Sequence, residues 1–84
     1  MARTGAVVGT YSVGTYPAGL AFDGTNIWVA NNGSNSVTKL LASTGAVVGT
    51  IAVGSAPIGV AFDGSNMWVA NGGGSYVVSK ILAF

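Results

Sequence analysis

The stretch FDGTNIWVANNGSNSV, Phe22–Val37, returns as FDGSNMWVANGGGSYV, Phe62–Val77. Working outward from this pair, TGAVVGT at Thr4–Thr10 recurs at Thr44–Thr50, Pro17 falls on Pro57, and Gly19 falls on Gly59. The offset is 40 up to the glycine-rich run Gly72–Gly74 and 41 beyond it, where VTKLLA at Val37–Ala42 meets VSKILA at Val78–Ala83. One residue has been added in a glycine-rich loop, where insertions are best tolerated. The chain of 84 residues is therefore a single unit of two repeats, about 4–43 and 44–84. Each repeat is one supersecondary module stacked on its copy.

The module reads as all β. AVVGTYSV and AVVGTIAV are rich in β-branched residues, AGLAFD and IGVAFD alternate small with large, and NIWVAN and NMWVAN carry aromatic and β-branched residues between asparagines. SVTKLLA and VVSKILA supply a fourth segment. Turn chemistry divides them: DGTN and DGSN, NNGSN and NGGGS, STG, and the GTYP and GSAP links. No apolar period of 3.6 residues is sustained anywhere, which speaks against helix. Four short strands in about 40 residues match the signature of a β-propeller blade. A β-solenoid is the other repeat architecture to weigh, and it would pair its strands in parallel.

Composition removes several function classes. There is no cysteine and no histidine, so disulfides, thiolate metal sites and the ordinary zinc ligand sets are out, as are the common nucleophile–base pairs. Arg3, Lys39 and Lys80 are isolated cations against Asp23 and Asp63, for a net charge of +1, a poor footprint for nucleic acid or an anionic membrane. Gly, Asn, Ser or Thr interrupts every apolar run well short of the ~18 residues a membrane helix needs, and Met1-Ala2-Arg3 lacks the apolar core of a secretory signal. Compartment is not legible. Half the residues are hydrophobic and only 6% are charged, a composition closer to the interior of a larger protein than to a free small domain.

The pattern P-x-G-[LV]-A-F-D-G-x-N-x-W-V-A-N, at Pro17–Asn31 and Pro57–Asn71, resembles the blade repeat of NHL-type and YVTN-type β-propellers, with streptogramin lyase a more distant likeness. The resemblance covers nearly the whole chain and bears on fold rather than activity. It implies an innermost strand a at Gly19–Asp23 and Gly59–Asp63, strand b at Ile27–Asn31 and Met67–Asn71, strand c at Val37–Ala42 and Val77–Ala83, and an outermost strand d at Ala6–Val13 and Ala46–Val53. The order d-a-b-c-d-a-b-c leaves Ala6–Val13 without its own blade and the last blade without strand d. Two blades do not close a ring, and each free blade face is roughly 350 Å² in projection. The expected solution is head-to-tail association, with strand d of one chain completing the blade of the next. Three chains give six blades, as in NHL-type relatives, and four give eight. The expectation is a homotrimer, with a homotetramer as the alternative.

The individual residues carry mostly structural readings. Asp23 and Asp63 sit in DG turns, where Asp bonds its own backbone and Gly takes positive φ; acid–base work or calcium binding is the minor alternative. Trp28 and Trp68 are placed in the core between blades rather than as stacking platforms for a ligand. Lys39 and Lys80 read as solvated heads on buried stems, with a hydrogen bond between blades as the alternative. Tyr16, Asn31, Asn32, Asn35 and Tyr76 fall on the d–a and b–c connections, which the resemblance brings to one face of the disc around the central opening. There they could read a small polar ligand, a sugar or a peptide; the plainer account is that Asn fills turns because it tolerates the left-handed region. The functional expectation is a self-assembling scaffold or binding module with no cofactor and no metal. A piece of a longer repeat protein, natural or engineered, is the alternative. A lyase-like enzyme ranks last, because the histidine that streptogramin lyases use is missing.

Overall fold

The computed structural model describes residues 7–73 and 77–83. Among the described residues seven strands run in chain order: β1 (Pro17–Phe22), β2 (Asn26–Asn31), β3 (Ser36–Leu41), β4 (Val47–Ala52), β5 (Pro57–Phe62), β6 (Asn66–Asn71) and β7 (Val77–Leu82). They form two antiparallel meanders, a four-stranded sheet β1-β2-β3-β4 and a three-stranded sheet β5-β6-β7. The described residues include no helix, so the chain is all β. Consecutive antiparallel pairing is the opposite of a solenoid's parallel stacking.

The register repeats between sheets with the offsets of the sequence. Trp28 faces Ala21 on one side and Lys39 on the other; Trp68 faces Ala61 and Lys80. Both sheets carry the same irregularity between the proline and the glycine of their first strand. Strand ends differ by one or two residues from the sequence reading, because Pro17, Pro57, Asn26, Asn66 and Ser36 already pair in the ladder. The larger difference is at the amino end. Residues 7–13, read from sequence as a strand, form none here, and Ala6 lies outside the described residues. The reason is a missing partner: the copy of this segment, β4, is a strand because β3 offers it a free edge.

Side chains alternate between sheet faces, and the two sheets stack front to back. The face of the first sheet that carries Ala21, Trp28, Val37 and Ile51 meets the face of the second that carries Val60, Phe62, Met67, Val69 and Ile81. The approach is closest where β1 and β2 lie against β5. Gly19 makes it so: a Cβ there would stand 2.8 Å from the Ile58 carbonyl oxygen and 3.3 Å from Gly59 Cα. Trp28, Val37, Met67, Val69 and Ala83 are the buried centre of this layer.

Because Met67 is wholly buried in that layer, Met67→Ala is expected to cost about 2–5 kcal/mol. Chemical denaturation followed by far-ultraviolet circular dichroism measures it. A loss under 1 kcal/mol would mean that the sheets do not pack through this residue.

Candidate functional site

The repeated chemistry of the chain is a carboxylate, an indole and an ammonium assembled across three consecutive strands of one sheet. Asp23 Oδ1 accepts from Thr25 N at 2.8 Å and Asn26 N at 2.7 Å, which fixes the turn between β1 and β2, and Gly24 adopts the φ of 102° that the turn requires. The second oxygen, Oδ2, accepts from Trp28 Nε1 at 2.8 Å. Lys39, directly across on β3, places Nζ 4.7 Å from the centre of the Trp28 ring. The second sheet repeats all of it. Asp63 Oδ1 accepts from Ser65 N and Asn66 N, Oδ2 accepts from Trp68 Nε1 at 2.6 Å, and Lys80 Nζ lies 5.2 Å from the Trp68 ring.

The two carboxylates are held ionised. At Asp23 burial raises the pKa, but the hydrogen bonds from Asn26, Trp28 and Thr25, with the Lys39 charge, outweigh it and leave the group below its ordinary 3.8. At Asp63 the Trp68 indole is the largest influence, followed by Asn66 and Ser65, and the value falls to about 2. Neither oxygen pair is free for acid–base chemistry near neutrality, and two carboxylates without other acids do not build a calcium shell. The turn role expected of both aspartates holds. The indole bond was not anticipated; the identical five-residue spacing from Asp to Trp in both repeats was its signal.

Lys39 corrects the reading of a solvated head. Its Nζ donates to the Ala83 carbonyl oxygen, at 3.4 Å, across the two sheets. Lys80, its copy, stands on the sheet that has no further sheet in front of it among the described residues.

At the other end of the sheets, the link before each first strand is bonded to the turn after each second strand. Asn32 N donates to Tyr16 O and Gly33 N to Thr15 O; Gly72 N and Gly73 N do the same to Ala56 O and Ser55 O. Tyr16, Asn31, Asn32 and Asn35 are therefore brought together at one end, and Tyr76 lies outside the described residues. Their side chains have different duties. Asn31 is buried, its Oδ1 accepting from Gly14 N and its Nδ2 donating to Ser36 Oγ and Thr38 Oγ1. Asn35 Oδ1 accepts from Ala56 N, tying this turn to the link into the second sheet. Asn35 does take a left-handed φ of 53°. Tyr16 is exposed at φ 50°, but Ala56, its copy, has the same φ, so the conformation belongs to the link and not to a tyrosine function.

Since folding depresses both carboxyl pKa values, their contribution to stability is complete above the unfolded value of ~3.9 and fades as pH falls toward about 2, where Asp63 titrates in the folded chain. Denaturant midpoints taken from pH 7 to pH 2 should be flat to about pH 4 and then fall. Asp63→Asn should lower the midpoint at pH 7 and make the acid limb shallower. An unchanged acid limb in that variant would show that the carboxylate–indole bond carries no stability.

No family model matches the chain, and no curated protein matches it. The functional reading stands on the geometry above and on the repeat pattern itself.

Proposed function

We propose that the chain is a self-assembling pair of β-propeller blades, a structural or binding scaffold whose ring is completed by further copies of itself. One observation carries the reading. Positions that are copies of one another differ sharply in exposure: Trp28 is 1% exposed and Trp68 37%, while Val37 is 0% and Val78 60%. The residue types match at these positions; the second sheet covers the first set, and Val37 is also flanked by β4, which has no counterpart beside β7 among the described residues. The uncovered face of the second sheet has the composition of a buried one.

Two further features support the same reading. The outer edge of β7 has no paired strand among the described residues, and Val7 and Val8, copies of the β4 residues Val47 and Val48, stand exposed. An unpaired apolar edge and an unpaired β-branched segment suit each other, and head-to-tail contact lets one chain supply what the next lacks. Each contact buries on the order of 700 Å² by sheet area, below the ~1,000 Å² of a stable isolated pair. A closed ring adds a contact without adding a chain, so one discrete closed species is favoured over open dimers. Three copies, giving six blades, are our choice; four give eight. On such a ring Tyr16 and Asn32 would face the rim and be available to a small polar ligand. An enzyme is disfavoured because both carboxylates are tied to indoles and the chain has no histidine or cysteine.

Native mass spectrometry should find a species three times the 8.3 kDa of the chain, or four times for the alternative ring. Removing residues 1–13 should abolish it by uncovering the β7 edge. A folded monomer at micromolar concentration would sink the proposal, and a truncated chain that still closes would remove the strand exchange from it.

A further inference from the structure

Resting on that reading, we propose that the apolar cavity on the free face of the first sheet is a socket for Trp68 of a second copy of this chain. The cavity holds about 340 Å³, and its walls include Tyr11, Val13, Leu20, Ile27, Val29 and Leu40. One repeat further on, these six positions are Ile51, Val53, Val60, Met67, Val69 and Ile81. All six belong to the cluster that buries Trp28 between the two sheets. The cavity is thus a second copy of the Trp28 environment with no indole in it. Trp68 is the matching indole with no environment. It is already set in the same pose by Asp63 and Lys80, on a face otherwise made of Gly59, Ala61, Ala70 and Val78.

A second contact fixes the register independently. Within the chain Gly19 lies on the backbone of Ile58 and Gly59, with no room for a Cβ. At Gly59, the copy of Gly19, a Cβ would meet nothing within 4 Å among the described residues. The copies of Ile58 and Gly59 are Ala18 and Gly19, and these line a smaller recess of about 140 Å³ beside Leu20 and Val29. Docking that repeats the internal joint brings Gly59 of one copy onto Ala18–Gly19 of the next while Trp68 enters the larger cavity. Like faces do not substitute: two sockets bring no indole to either, and two Trp68 faces, although an open hollow of about 350 Å³ lies beside the indole, bring no copy of the Trp28 surroundings. The contact is therefore heterologous, and its occupant is a second copy rather than a small apolar molecule, because only a second copy satisfies both points at once.

The test uses the full chain as wild type, Gly59→Val and Trp68→Ala, in sedimentation velocity over a range of concentrations, with acrylamide quenching of tryptophan fluorescence. Gly59→Val is the sharper variant, since the open space around Gly59 leaves the isolated fold intact; an unchanged far-ultraviolet circular dichroism spectrum checks this. Wild type should assemble and lose the quenchable indole as it does so. Both variants should need at least about tenfold more protein to assemble, as removal of a central aromatic or a blocked close approach does. Wild type, Gly59→Val and Trp68→Ala assembling at the same concentration would overturn the socket while leaving self-assembly standing on some other contact. A wild-type chain that stays monomeric throughout would overturn the self-assembly reading, and the socket with it.

Discussion

A β-sheet of this composition is apolar on both faces, and that constraint governs the molecule. Strands such as Ile27-Trp28-Val29-Ala30 place a large or apolar side chain on each face in turn. One sheet alone would leave both faces in water, at a cost of roughly 25 cal/mol for each Å² of apolar surface. Stacking two sheets front to back covers one face of each. It leaves the outer face of each sheet without a second sheet against it among the described residues, and these faces are of opposite kind.

The stacking is helped by polar side chains that bond within their own sheet, with Asn26 Oδ1 and Asn71 Oδ1 left buried without a partner among the described residues. An indole nitrogen in the layer between sheets needs an acceptor, and Asp23 supplies it while also closing the turn that begins β2. Lys39 covers the ring and then reaches across to the second sheet. At the opposite end Asn31 draws together Gly14, Ser36 and Thr38. Each sheet is pinned at both ends by one polar residue, with the apolar layer between. The aspartates look catalytic in a list of titratable groups; in place they are fasteners.

Small residues do what polar ones cannot. Gly19 brings β1 onto the β5 backbone, and the sheets are nearest at that strand. A methyl group at this position would force the carbonyl of Ile58 aside. The alternation of glycine and alanine with larger residues along AGLAF and IGVAF thus sets the spacing between layers, as the large side chains set their thickness.

The sequence by itself determined the repeat, the strands and the turn residues, because these are local: alternation, DG and NG chemistry and the proline links act within a few residues. It also determined that the second sheet repeats the register of the first, since the offsets of 40 and 41 carry through to the ladder pairs. Only the tertiary structure decided which copy of each residue is covered. Trp28 and Trp68 sit in nearly the same local sequence, and one is core while the other is surface. The same holds for Lys39 against Lys80, and for residues 7–13 against β4, one without a strand partner and one with. Burial and strand pairing are properties of neighbours distant in the chain. A repeat in sequence stays silent on how many neighbours each copy receives, and that number separates the inner joint from the open faces.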